Sequence, residues 1–288
     1  MATTTSATRL TVLGAGTMGA GISALAIGHG VPVTLVDVSA AVLDRARASI
    51  GHQLRLARLM DALPHGRATA ELRTALTLDS AAEADVVIEA ITEDPAVKAK
   101  VLAEVSALTR PGTPLVSNTS GIPIDELAGS ALRPGELVGT HFMNPPYLIG
   151  MAEVVRGPRT APEVLARVQT LLSVLGRRTV VVGDSPGFVT SRLLHPMIND
   201  AARIVGAGTA SAEDVDTLMQ GCLGHPTGPL RTADLIGLDN LADALAVLAE
   251  RTGNPGYQPC ETLLAHVRAG RLGRKSGQGF YDYGEAQP

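Results

Sequence analysis

Short β-branched runs alternate with longer Ala- and Leu-rich stretches through the first two-thirds of the chain. The apolar runs predict strands at Leu10–Leu13, Val33–Val36, Val86–Glu89, Leu115–Ser117, 138–141 and 180–182, with helices between them. This alternation predicts parallel strands joined by right-handed crossovers, a sheet that takes its ligands beyond the carboxyl ends of the strands. After Gly183-Asp184-Ser185-Pro186-Gly187 the strand signals stop. From Phe188 onward the period is helical, with helix starts at Ser211 and Asp239 and stops at Gly206, Gly221 and Gly253. The boundary therefore falls between Ser185 and Gly187, dividing the chain into one domain over residues 1–186 and a helical one over 187–288. A length of 288 residues accommodates both. The tail 284–288 is expected to fray.

Composition narrows the class. Hydrophobic residues make up 45% of the chain and charged residues 18%, which excludes a disordered polypeptide. A net charge of −4, without blocks of like charge, offers no footprint for nucleic acid or an anionic membrane. No run approaches the roughly eighteen apolar residues of a membrane helix, and Met1 to Thr8 lack the features of a secretion signal. Only Cys222 and Cys260 occur, as expected of a reduced, cytoplasmic protein.

Directly after the first strand stands Gly14-Ala15-Gly16-Thr17-Met18-Gly19. Gly14 permits a tight turn, Gly16 lets the backbone approach a pyrophosphate, and Gly19 lets a helix pack close on the strand. Such a turn occurs in many α/β proteins, but here a second strand ends in Asp37, 23 residues beyond Gly14, where a carboxylate accepts both ribose hydroxyls. Asp37 repels a 2′-phosphate, and Val38, Ser39 and Ala40 supply no Arg to hold one, so NAD is preferred over NADP. Together these features predict an α/β, Rossmann-type doubly wound sheet followed by an all-α C-terminal domain.

Three further segments place polar groups at strand ends: Ser117-Asn118-Thr119-Ser120, His141-Phe142-Met143-Asn144-Pro145-Pro146, and Glu153 within Met151-Ala152-Glu153-Val154-Val155. Oxidation of a hydroxyl by hydride transfer needs a base for its proton, and an imidazole with an ordinary pKa of about 6.5 suits that role near neutrality. Glu153 could orient the ring and stabilise its cation, as a carboxylate does in a Ser-His-Asp triad. The other reading of Glu153 is an edge-strand carboxylate facing water. No metal is expected.

These segments, with Ile88-Glu89-Ala90, Asp184 to Phe188, His225-Pro226-Thr227-Gly228-Pro229 and Gly273 to Tyr281, resemble the 3-hydroxyacyl-CoA dehydrogenase family over essentially the whole chain. The resemblance implies that His141 is the catalytic base and Glu153 its partner. It also implies that Ser120 hydrogen-bonds the 3-oxygen of the substrate, that Asn144 touches substrate and nicotinamide, and that Glu93, Lys98 and Lys275 contact NAD. Lys98 and Lys275 are two of only three lysines in a chain that otherwise uses Arg. The helical domain is expected to form the other wall of the cleft and a homodimer interface.

Two departures from the family pattern bear on the substrate. Ser191 stands where relatives commonly carry an Asn beside the substrate, and it is shorter with fewer hydrogen bonds. The family positions that hold the adenosine phosphate of CoA fall at Gln53 and Met60, where Arg55 and Arg58 are candidates to substitute, or else form a basic, solvated helix face. The expected substrate is an acyl-CoA thioester. An acyl-carrier-protein thioester and a small free hydroxy acid are the alternatives within the fold. A non-catalytic dinucleotide-binding protein needs only the Gly14 to Asp37 half, and a Lys-dependent hydroxyacid dehydrogenase finds no lysine between Gly187 and Gly221.

Overall fold

The computed structural model describes residues 8–284; the expected frayed tail beyond Gly284 and the stretch before Thr8 lie outside them. Between Ser185 and Pro186 the chain divides into two compact units.

The first unit is built on one eight-stranded sheet. Its elements in chain order are β1 (Leu10–Leu13), α1 (Thr17–Gly28), β2 (Val33–Val36), α2 (Ala40–Leu59), β3 (Leu72–Ala75), β4 (Val86–Glu89), α3 (Pro95–Leu108), β5 (Leu115–Ser117), α4 (Ile124–Ala128), β6 (Leu137–Phe142), β7 (Met151–Arg156), α5 (Pro162–Val174) and β8 (Arg178–Gly183). The strands lie in the order β3-β2-β1-β4-β5-β6-β7-β8. Strands β1, β4, β5 and β6 are buried along their whole length, as strands covered on both faces must be, and their polar residues, Thr11, Glu89, Ser117, Thr140 and His141, are buried with them. The chain reverses its direction of travel across the sheet between β1 and β4, the topological switch point at which such folds bind ligands.

The sheet is not wholly parallel. β7 runs antiparallel to β6, and β8 runs parallel to β7. Neither β3 nor β7 stands out as a strand in the apolar pattern. β3 is a partly exposed edge strand, Leu-Arg-Thr-Ala, with no apolar run. β7 follows β6 after only residues 143–150, too few for the dozen or more that a parallel crossover needs, so the chain turns straight back.

The second unit holds α6 (Thr190–Gly206), α7 (Ala212–Leu223), α8 (Pro229–Ile236), α9 (Leu238–Thr252) and α10 (Glu261–Arg268) around a core of Ile198, Leu230, Leu238, Leu241, Leu245 and Leu263. Ser211 caps α7 through a reciprocal box with Asp214. Gly221 is inside α7, not at its end: the helix continues to Leu223 and stops at Gly224, whose φ of +70° only glycine adopts readily. Asp239 lies inside the first turn of α9, which begins after Gly237. The connecting tail is tied down by Asp234, which accepts from Phe280 N, Tyr281 N and the Tyr283 hydroxyl at 3.0, 3.0 and 3.1 Å.

Candidate active site

The glycines after β1 have separate steric reasons. Gly14 sits at φ +92°, and a Cβ there would lie 2.6 Å from Ala90 O at the end of β4. At Gly19 a Cβ would fall 1.8 Å from Gly14 O, so α1 can approach β1 only with glycine. Gly16, by contrast, faces open space, with nothing within 4 Å of a Cβ position, and it precedes α1, whose first turn carries no acid. An open backbone at an acid-free helix N-terminus fits a pyrophosphate. Asp37 is locked to the same turn: Oδ2 accepts from Ala15 N at 2.9 Å and Oδ1 from Ser39 N at 3.0 Å. Each oxygen keeps a lone pair for a ribose hydroxyl. The residues present therefore fit NAD.

His141 and Glu153 are direct cross-strand neighbours in the β6–β7 ladder. Residues so placed project from the same face of the sheet, with Cβ atoms about 5 Å apart. His141 Nδ1 lies 3.2 Å from Glu153 Oε2, with only 11% of the imidazole side chain and 6% of the carboxylate side chain exposed. Glu153 is thus buried on the histidine rather than facing water. With Nδ1–H donated to the carboxylate, the ring presents Nε2 as its basic nitrogen. Asn118, at the end of β5, holds the neighbouring backbone by accepting from Phe142 N at 3.0 Å.

Between the glycine turn and this dyad lies Glu93. Its Oε1 accepts from Thr119 Oγ1 at 2.6 Å, Ser120 N at 2.8 Å and Ser120 Oγ at 3.2 Å. Burial pushes the Glu93 carboxyl up, but the Lys98 ammonium and the donors from Thr119 and Ser120 outweigh it and hold the group below the usual carboxylate range. Ser120 has one hydroxyl proton, and here that proton points at Glu93, so donating to a substrate oxygen requires the hydroxyl to turn. Lys98 is 1% exposed and stands behind Glu93 rather than at the surface; its Nζ is 2.6 Å from Glu89 Oε1 and 3.2 Å from Glu93 Oε2.

Asn144 is exposed on the β6–β7 connection. This connection packs against α1 where a Cβ at Gly21 would meet the Pro146 ring at 2.8 Å, and Arg177 clamps it by donating to Pro146 O at 3.1 Å and Ile149 O at 2.7 Å. Two of the remaining candidates belong to the helical unit and two to α2. Ser191 is buried in the first turn of α6, and Lys275 is paired with Asp239 at 2.6 Å, both within the helical unit. Arg55 and Arg58 are exposed on α2, and Arg58 lines a cavity of about 210 Å³ with His65 and Arg67.

Gly14 to Gly19, Asp37, Glu93, Ser120, His141 and Glu153 are thus gathered at the carboxyl edge of one sheet. An edge that can seat a dinucleotide and exchange a proton defines a nicotinamide-dependent oxidoreductase, and among the described residues no helix is long and apolar enough to cross a membrane. Residues 9–185 match the family model for the NAD binding domain of 3-hydroxyacyl-CoA dehydrogenase, and residues 187–283 match the model for its C-terminal domain. The chain belongs to the 3-hydroxyacyl-CoA dehydrogenase family, and its cofactor is NAD. It is 40% identical over 284 residues to a probable 3-hydroxybutyryl-CoA dehydrogenase of Bacillus subtilis, covering 96% of this chain and 98% of that one. It is 38% identical to the 3-hydroxybutyryl-CoA dehydrogenase of Bradyrhizobium diazoefficiens, covering 96% of each. Among solved structures it is similar to (S)-3-hydroxybutyryl-CoA dehydrogenase PaaH1 from Ralstonia eutropha, with a TM-score of 0.87 and 35% identity over 97% of this chain and 100% of that one.

Proposed function

We propose that this enzyme oxidises an L-3-hydroxyacyl thioester of the 3-hydroxybutyryl-CoA kind to the 3-oxoacyl thioester, and catalyses the reverse reduction. The observation that carries this reading is the buried His141–Glu153 pair, set by strand register on the same sheet edge as the glycine turn. NAD, bound along Gly14 to Gly19 and Asp37, supplies the hydride acceptor. His141 Nε2 takes the proton of the substrate hydroxyl, and Glu153 stabilises the imidazolium that results. In the reverse direction His141 returns that proton. Ser120 turns its hydroxyl from Glu93 to the 3-oxygen as charge develops there, while its amide stays on Glu93; a donor used in this way favours the transition state over the ground state. Asn144 is assigned to substrate and nicotinamide, Lys275 to NAD and Ser191 to the substrate.

CoA is the favoured carrier, with Arg55 and Arg58 as its phosphate partners. A helical-domain homodimer is supported by the apolar surface at Leu193, Leu218 and Leu223, which are 69%, 57% and 66% exposed. The cysteines Cys222 and Cys260 are free thiols, in keeping with a cytoplasmic setting. The test is NADH oxidation with acetoacetyl-CoA, an acetoacetyl carrier protein and free acetoacetate. Efficient turnover of the CoA thioester, with Arg55→Ala or Arg58→Ala raising its KM at nearly constant kcat, supports the reading. Efficient turnover of only the carrier-protein form moves the enzyme to a biosynthetic role, and turnover of only the free acid overturns the thioester assignment.

A further inference from the structure

Glu89 closes β4 and takes no part in the steps above, yet it is fully buried at 0% exposure and both its oxygens are engaged. Oε2 accepts from Ser117 Oγ at 2.6 Å; Oε1 accepts from Lys98 Nζ at 2.6 Å and from Ile91 N at 2.9 Å. Lys98 faces a second acid, Glu93, at the longer distance of 3.2 Å. One buried ammonium therefore serves two carboxylates, and the shorter contact to Glu89 fixes its depth. That depth decides where the Glu93 carboxylate can sit, and Glu93 in turn seats the amide and hydroxyl of Ser120. A buried charge is held this firmly only where its partners are in place.

We propose that Glu89 is a positioning residue: acting through Lys98, it holds Glu93 where its carboxylate seats Ser120 at the reactive edge. The kinetic part of this inference rests on the dehydrogenase reading; the part concerning NADH does not. Glu89→Gln keeps the side chain's shape and its bonds to Ser117 and Ile91 but removes the charge, so the ammonium is drawn wholly to Glu93 and pulls that carboxylate from Ser120. Lys98→Met leaves Glu93 without a cation. Pairing the two substitutions removes one charge of each sign, which restores much of the stability lost when either partner is left alone.

The experiment measures thermal midpoint, kcat, KM and NADH affinity, the last by cofactor fluorescence without acyl substrate, for Glu89→Gln, Lys98→Met and the double variant. The expected result is a loss in kcat of about tenfold or more with the acetoacetyl-CoA KM within about threefold, and NADH affinity weakened about tenfold. The double variant is expected to regain thermal stability but neither kcat nor NADH affinity, because Glu93 still lacks its cation. Recovery of kcat and NADH affinity in step with the thermal midpoint would show Glu89 to be structural only and overturn the proposal. If Glu89→Gln does not fold, Glu89→Asp, which keeps the charge and Lys98 but shortens the reach between them, replaces it, and unchanged kcat and NADH affinity at a lowered thermal midpoint would overturn the proposal. If the unmodified protein turns over no hydroxyacyl thioester, the dehydrogenase reading falls, and the NADH titrations still decide the role of Glu89.

Discussion

The sheet unit and the helical unit both bury carboxylates, and they partner them differently. At the sheet edge the buried Glu89 shares the Lys98 ammonium with Glu93, whose side chain is partly exposed, and the buried Glu153 faces the His141 imidazole. In the helical unit Asp216 accepts from Leu230 N, Arg231 N and the Tyr281 hydroxyl, and Asp234 from Phe280 N, Tyr281 N and the Tyr283 hydroxyl. A side-chain cation can move and an imidazole can lose its proton, whereas a backbone N–H can do neither. On the proposed reading the sheet-edge acids serve the reaction, while the helical-unit acids hold the start of α8 and the segment 280–283 in place.

The largest expected effect breaks the first half of that contrast. His141→Ala should lower kcat by about 10³-fold, Glu153→Ala by about 10²-fold, and the double variant by little more than His141→Ala alone, because the pair acts as a unit. Additive losses in steady-state kinetics would dissolve the dyad. A smaller effect tests the cofactor end: the unmodified enzyme should prefer NAD over NADP by about 10²-fold in kcat/KM, and Asp37→Ala combined with Val38→Arg should narrow that ratio by at least about tenfold. Comparable use of both cofactors by the unmodified enzyme would remove Asp37 from the ribose.

The helical unit should answer in stability instead. Asp234→Ala strands two backbone N–H groups and a hydroxyl, costing about 3 kcal/mol in denaturant unfolding, while turnover per folded molecule stays within about twofold. Turnover that collapses along with stability would erase the distinction between the two units. The finest test is the sign of the pH dependence. Glu93 is held below its ordinary value of 4.5, so it contributes stability above that pH and loses it as pH falls through the lower folded value. Burial pushes Asp234 above its ordinary 3.8 despite its donors, so its contribution is fullest in acid and declines as pH rises through the raised folded value. Relative to the unmodified protein, Glu93→Gln should therefore cost most near neutrality, and Asp234→Asn should cost most in acid. Unfolding midpoints taken at about pH 4 and about pH 7 would reveal equal slopes if the contrast were false.

What could be read ahead from the chain followed from what each residue does locally. The strands β1, β2, β4 and β5 were legible because near-complete burial makes them short runs dominated by Val, Leu and Ile. The Gly14 to Gly19 turn was legible because steric need fixes glycine there. The direction of β7, and with it the place of the Glu153 side chain, depends on pairing between strands, which no local pattern carries; the shortness of residues 143–150 was the available signal. Glu89 hid inside an apolar strand. Its signal was an acid ending Val-Val-Ile-Glu with a lysine nine residues on, in a chain that has few lysines. Asn118 and Arg177 act on main-chain atoms of distant segments, and such work has no sequence spacing.

The β6–β7 register has a consequence for how the family's chemistry can be re-engineered. Because His141 and Glu153 meet through the hydrogen-bond ladder, their geometry is inherited from the backbone and not from the connection that joins the two strands. A shift of one residue would send Glu153 to the opposite face and abolish the pair, whereas side-chain changes at the exposed Leu148 and Ile149 leave the ladder untouched. Those two side chains are thus replaceable points on a connection whose backbone is clamped between two fixed rails. Side-chain substitution there could be explored with the proposed proton-transfer pair carried along unchanged.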